Sequence, residues 1–330
     1  LERMLRSAVA VAVRERGSYA WCTERGIEAL AGADDATDYA PHSPELTLEY
    51  PESVAVPELP QRYVCVTIND ADDEQAQNLA ELLEYTYQEH GLSTVFLSHM
   101  GNPAQAAVAG ERGDYEVHAR IAEQMHTPAT LVPITHADAA VRIHQGAALT
   151  LTSRYHPAVF GLAVGVPVVA LVPDAFTEMR LTGVMKHYGV GEFITPLEML
   201  GTAIPSLLLD AAVQLNDPEL GATFTELQAP RRAEVLGALA EWRQYVWERI
   251  SGNDEAREPQ NLPKVHQVEA LNEPLRGVNR AARRLLRRTS LEAGNEWALS
   301  DRMHSWEDAR RREIEGKDRE IAGLRERAEA

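Results

Sequence analysis

Cysteine is nearly absent: Cys22 and Cys65 are the only two in 330 residues. Two thiols give neither a disulfide framework nor a zinc pattern, and Cys65, set in an apolar strand-like run, reads as inert. Long apolar runs are missing too. No stretch approaches the roughly 20 apolar residues of a membrane span, and the N-terminus lacks a charged-then-apolar signal pattern. The expected location is therefore cytoplasmic. Positive charge is in deficit, with 32 Lys and Arg against 50 Asp and Glu and a formal charge of -18. That balance argues against a nucleic-acid partner, and a protein this acidic that handles an anion has to gather its cations locally. His136 and His144 flank a predicted helix without HxxxH or HExxH spacing, so no metal and no bound cofactor are expected.

What is present is globular material, 45% hydrophobic and 25% charged, enough for one substantial core or two. The chain is organised around residues 147–174, AALTLTSRYHPAVFGLAVGVPVVALVPD. Apolar runs at 147–152 and 166–172 predict two strands buried on both faces. Between them, Pro157 suits the first position of a helix over 158–164 and Gly165 suits its left-handed stop. Such a crossover is right-handed, and ligands in parallel sheets sit beyond the carboxyl ends of the strands. Arg154 and His156 fall at that end. A helix N-terminus, a guanidinium and an imidazole together suit an anion, phosphate or carboxylate. The bland alternative is that Arg154 pairs with an acid and His156 caps the helix.

The stretch SRYHPAVFGLAVGVPVVAL resembles the signature of the polysaccharide pyruvyl transferase family: Arg-x-His, a small-residue helix and a Gly-x-Pro strand. The resemblance implies an α/β, glycosyltransferase-B-like architecture. It also implies transfer of the enolpyruvyl group of phosphoenolpyruvate, as co-substrate, to a sugar diol of a cell-surface polysaccharide or its lipid-linked precursor. It extends more weakly over residues 1–195. VRERGSYAWCTERGIEAL resembles a passage late in the family's first domain, and Asp38 stands where the family has an Asp before the domain linker. Residues 1–40 are then the end of a first Rossmann-like domain, with a strand over 8–13 and a helix over 19–25 capped by Ser18. The chain starts at Leu1 and ends among charged residues, as expected of a segment of something longer.

Five prolines between 41 and 60 mark a linker. Residues 61–195 read as the second, complete Rossmann-like domain: strand 63–68, helix 72–91, strand 94–97, a loop over 101–113, a helix from about Asp114, strand 129–133 and helix 138–145. His99 follows the second strand and Asn69 the first, where the family often has Arg. Asp114 reads as a cleft residue or a helix N-cap. After residue 172 the family often has Tyr-Asp and then Lys; here Asp174 and Arg180 are the candidates. The candidate catalytic residues are Arg154, His156 and His99. Ser153, Tyr155, Asn69, Asp114, Asp174 and Arg180 are the candidate substrate contacts.

Residues 196–250 predict helix, with Trp242, Tyr245, Val246 and Ile250 on one face, able to cross back to the first domain or simply to cover the second. Residues 251–330 form a charged tail. Its PLRGVNRAARRLLRRTS segment suits an anionic membrane surface or the acidic body, and the terminal run suits a helix that self-associates. The expected partners are phosphoenolpyruvate and a saccharide acceptor, with Arg154 binding the anion and His156 protonating the substrate or assisting phosphate departure. Two rivals stand beside this: a glycosyltransferase using a nucleotide-sugar, and a non-catalytic scaffold built on a degenerate domain.

Overall fold

The structure is a computed structural model that describes residues 1–14, 16–42, 56–101, 113–215 and 224–252. The chain opens with α1 (Glu2–Arg6), β1 (Ala12–Val13), α2 (Arg16–Glu24), β2 (Leu30–Ala31) and α3 (Ala36–His42), in which β1 and β2 pair in parallel. The expected strand over 8–13 is thus only two residues long. Ser18 lies inside α2 rather than capping it, and α3 continues into the first proline of the expected linker. Residues 43–55 of that linker, 102–112 of the expected loop and the tail from 253 lie outside the described residues.

The second unit comprises β3 (Tyr63–Thr67), α4 (Asp73–His90), β4 (Ser93–Leu97), α5 (Asp114–Ala122), β5 (Ala129–Val132), α6 (Ala137–Gly146), β6 (Leu149–Thr152), α7 (Tyr155–Ala163), β7 (Val168–Val172), α8 (Ala175–His187) and β8 (Ile194–Pro196). Its strands lie in the order β5-β4-β3-β6-β7-β8, and each neighbouring pair is parallel. This is the doubly wound order, with its reversal between β3 and β6. Period-2 alternation divides the core. Val64, Val66, Phe96, Leu149 and Leu151 face one layer of helices, while Tyr63, Cys65, Val95 and Leu97 face the other.

Local chemistry fixes the ends of the elements. Asp72 caps α4 through a reciprocal capping box with Gln75, and Gly91 closes it with φ 63°. Gly165 closes the turn after α7 with φ 81°, as expected. The start of α7 differs from the expectation. Arg154 is its N-cap, so the helix begins at Tyr155 and Pro157 occupies the third position. A missing N–H is harmless there, because the first-turn donors have no partner in the helix's own ladder. Strands β6 and β7 each start two residues later than the apolar runs suggest. Gly161 lets α7 lie close on the sheet: a Cβ there would stand 2.9 Å from Val168 Cγ2 and 3.1 Å from Thr150 Oγ1.

Two further helices, α9 (Ala203–Gln214) and α10 (Phe224–Ile250), follow the sheet. Tyr245 of α10 is buried as expected, but Ile250 is 69% exposed. Helix α10 crosses back to the N-terminal elements: Arg243 bonds Asp35 at 2.8 Å and pairs with Asp38. Asp38 is thereby engaged at the surface. The fold class is α/β as expected, with one complete Rossmann-like parallel sheet and a smaller N-terminal βαβ piece beside it. Among the described residues, no helix is long and apolar enough to cross a membrane.

Candidate functional site

A cavity of about 740 Å³ opens at the carboxyl ends of the strands, over the point where the strand order reverses. The turn leaving β6 is strapped to the end of β3. Ser153 N–H donates to Thr67 O at 3.0 Å, and Asn69 N–H donates to Ser153 Oγ at 2.9 Å. The Ser153 hydroxyl in turn donates to Asn69 Oδ1. Thr152 Oγ1 accepts from Arg154 N–H at 2.9 Å. These bonds hold the first turn of α7, and with it the N–H groups of Tyr155 and His156, toward the cavity.

Arg154 is not a free cation. Its Nε and Nη2 donate to Asp114 Oδ1 at 3.0 and 2.5 Å, and the carboxylate is fully buried while the guanidinium side chain is 24% exposed. Asp114 Oδ2 also accepts from the N–H groups of His99 and Met100, each at 2.9 Å. Asp114 is therefore the first residue of α5 and the clasp that joins Arg154 to the turn after β4, while Gly113 holds the cap position. Among the described residues, Nη1 of Arg154 meets only the Met100 thioether at 3.0 Å, a weak acceptor, which leaves that edge with donor capacity for an anion.

Positive charge gathers instead around Tyr155. The guanidiniums of Arg14 and Arg180 stand 4.3 and 4.9 Å from the Tyr155 ring centroid, cation–π distances. Arg14 pairs with Asp34. Arg180, on α8, has no carboxylate partner among the described residues. His156 is exposed on one side and packs Phe160 on the other, with ring centroids 6.2 Å apart. Burial of that side lowers its pKa below 6.5; Arg14 and Arg180 lower it further, against the opposing pull of Asp34.

Behind this face lies a group of neutral imidazoles. His99 Nε2 is 3.5 Å from His144 Nε2, whose Nδ1 is 3.0 Å from Thr150 Oγ1. Burial, helped by His144, His156 and Arg154, holds His99 well below its usual range. Burial alone takes His144 to about 3. His118 Nε2 accepts from Ile68 N–H at 2.9 Å, which places its proton on Nδ1, and burial and the Arg154 charge take it to about 3. Among the described residues, no group of three or more His, Cys, Asp or Glu is arranged to hold a metal.

The sequence profile of the polysaccharide pyruvyl transferase family matches residues 1–174, more than half of the 330. The chain belongs to the polysaccharide pyruvyl transferase family. The matched part of this pyruvyl transferase family chain carries Arg14, Asn69, His99, Asp114, Arg154 and His156; Arg180 lies beyond it. Among solved structures, the chain resembles a protein assigned as a UDP-N-acetylglucosamine 2-epimerase from Listeria monocytogenes, at 15% identity over 74% of this chain and 60% of that one, with a TM-score of 0.44. It also resembles a family 9 glycosyl transferase from Veillonella parvula, at 17% identity over 56% of this chain and 53% of that one, with a TM-score of 0.29. The chain thus spans 60% or less of the length of these two structures. No curated protein matches it.

Of the sequence candidates in this pyruvyl transferase family member, Asn69, His99, Ser153, Arg154, Tyr155, His156 and Arg180 all line the cavity. Asp114 stands behind the lining, bonded to Arg154. Asp174 lies apart: it is the N-cap of α8, and its carboxylate accepts from Thr177 N–H at 2.7 Å. Sequence reasoning missed the Arg14–Asp34 pair and the cavity residues Ser98, Thr135 and Tyr39. Ser98 directly follows β4 and Thr135 lies just beyond β5, so the strand-end rule that selected Arg154 would have found both.

Proposed function

We propose that this chain carries the site for transfer of the enolpyruvyl group of phosphoenolpyruvate to two hydroxyls of a saccharide, giving a pyruvate ketal and inorganic phosphate. The observation that carries the reading is the cationic end of the cavity in a member of this family. There Arg154 and Arg180 line the cavity beside the first turn of α7, and Arg180 and Arg14 flank the Tyr155 ring. Phosphoenolpyruvate, with a phosphate and a carboxylate close together, needs several donors aimed from different elements.

In this reading, a saccharide hydroxyl oxygen bonds to C2 of phosphoenolpyruvate while C3 gains a proton. The C2–O bond to phosphate then breaks as a second hydroxyl bonds to C2, and that hydroxyl's proton leaves with the phosphate. His156, neutral at pH 7 because its pKa is lowered, takes the first hydroxyl proton and, once charged, returns it to C3. The α7 N-terminus and Arg180 hold charge developing on the departing phosphate.

Titration calorimetry with phosphoenolpyruvate tests the reading. The wild-type chain is expected to bind saturably. Arg180→Ala should bind about 10-fold or more weakly, as the loss of a charge-assisted hydrogen bond implies. Binding of a nucleotide-sugar in place of phosphoenolpyruvate would refute it. Where turnover is measured, kcat/KM should be flat near pH 7 and fall on acidification below about 6.5, as His156 takes up the proton that disables it as a base. An acid limb unchanged in His156→Gln would remove His156 from this role.

A further inference from the structure

Two arginines of the cavity are held in opposite ways. Arg154 is fastened by a carboxylate, and its Nε and Nη2 are spent on Asp114. Arg180 is fastened by rings. Its guanidinium carbon lies 4.9 Å from the Tyr155 ring centroid and 5.3 Å from that of Phe176, one turn earlier on α8, and it has no carboxylate partner among the described residues. An aromatic ring engages the flat face of a guanidinium and leaves its N–H edge, which carries the five donors, to other acceptors. An arginine held this way keeps its charge and its hydrogen-bonding capacity for an anion, and it is already ordered when the anion arrives.

The Tyr155 ring carries a second cation. Arg14, just after β1, stands 4.3 Å from the same centroid while also pairing with Asp34. Tyr155 thus joins α7, α8 and the N-terminal unit at one point. It is only 6% exposed, and it meets the His156 imidazole edge to face with ring centroids 5.6 Å apart. The charged groups acting on His156 are Asp34, Arg14 and Arg180, and the last two are the pair that the ring holds. Two like charges do not gather at one side chain unless it offsets their repulsion, and the negative face of an aromatic ring does so. A leucine or methionine could fill the same space and would draw neither guanidinium.

We propose that Tyr155 is a positioning residue rather than the substrate contact its place in the signature suggests: its ring stands in for a counter-ion, fixing Arg180 and Arg14 beside His156 and leaving the N–H edge of Arg180 for the anionic groups of the donor. This role deepens the pyruvyl-transfer reading and rests on it for the identity of the anion.

Phosphoenolpyruvate calorimetry and NMR titration of the His156 imidazole in the ligand-free chain test this role. Tyr155→Phe keeps the ring, Tyr155→Leu removes it, and trifluorophenylalanine in place of Tyr155 keeps the ring's shape while drawing charge from its face. Affinity in Tyr155→Phe should stay within about 2-fold of wild type, because the ring face is what holds the cations. Tyr155→Leu should weaken binding about 10-fold, since the released arginines have to be ordered when the anion binds. The fluorinated variant should fall between the two, and it carries the test if Tyr155→Leu fails to fold. In an Arg180→Ala background the effect of Tyr155→Leu should shrink to about 3-fold or less, as a shared interaction requires. The pKa of His156 should rise in Tyr155→Leu, where Arg14 and Arg180 no longer hold it down, and rise less once Arg180 is absent. A fluorinated variant indistinguishable from Tyr155→Phe in both measurements overturns the proposal. So does an undiminished effect of Tyr155→Leu in the Arg180→Ala background, which would assign the ring to holding α7 as a whole. If the wild type binds no phosphoenolpyruvate while His156 titrates as expected across the variants, the donor reading falls and the positioning role stands.

Discussion

Asp114→Ala is expected to cost about 3–5 kcal/mol of folding stability, the scale seen when one member of a buried ion pair is removed. The carboxylate is wholly inaccessible and accepts from Arg154 and from two backbone N–H groups. Its loss leaves those two donors unpaired and the guanidinium without its counter-charge. Arg154→Ala should cost less, because Asp114 would keep both backbone donors. The informative comparison is Arg154→Met with Asp114→Leu: removing both charges should cost less than the sum of the two single losses, while the two backbone donors stay unpaired, and urea denaturation of the four proteins gives the coupling energy. Coupling near zero would mean that the two side chains act independently, against the convergence of Nε and Nη2 on Asp114 Oδ1. Phosphoenolpyruvate affinity should fall in Asp114→Asn as well, since a loosened Arg154 no longer presents its open edge.

The second large effect is acid lability. His118 and His144 are held neutral in the folded chain at about 3, against about 6.5 when unfolded. Their folded values are depressed, so the unfolded state binds more protons at any pH below about 6.5. Stability is therefore fully present above that point and declines as pH falls toward 3. At pH 5 each histidine accounts for about 2 kcal/mol of loss, and His99 acts in the same direction. Denaturant midpoints at pH 7 and pH 5 measure the sum, and His144→Phe should flatten the slope by one histidine's share. Equal stability at the two pH values would contradict the buried neutral assignment. Imidazole signals of His118 and His144 that shift between pH 7 and pH 5 would do the same.

The parts of the molecule legible in the sequence were those written in local pattern. Runs of β-branched residues placed β3, β4, β6 and β7, and Gly165 marked the left-handed stop, because a strand's burial and a glycine's dihedral freedom are properties of a few consecutive residues. The strand-end rule put Arg154 and His156 at the cavity for the same reason. What stayed hidden depends on distant residues. The partner that neutralises Arg154 lies 40 positions away, and nothing in the neighbourhood of Asp114 distinguishes a clasp from a cap. Arg14 reaches Tyr155 from a different unit altogether. His118 and His144 are isolated polar residues on helices, and only the assembled core shows that they are sealed from water. Asp174 shows the converse: a short acidic side chain just before a helix has a local use as its cap, and its carboxylate accepts from Thr177 N–H there.

The closure of α10 on α3 also sets an order of events. Asp35, Ala36 and Tyr39 form one wall of the cavity, yet the side chain that fastens Asp35 comes from Arg243, 208 positions later. Chains leave the ribosome N-terminus first. By the time β7 has emerged and the sheet can form, that wall is still without its fastening, and it gains it only after some 70 further residues have been added, by subtraction of 172 from 243. The wall itself packs through Ala36, Tyr39 and Ala40 into the same apolar cluster as Phe160 and Ala163 of α7, and the Arg243–Asp35 pair is largely exposed, so a product cut short before α10 would carry nearly all the site residues on a sheet able to form and would lack only a surface tie across that wall.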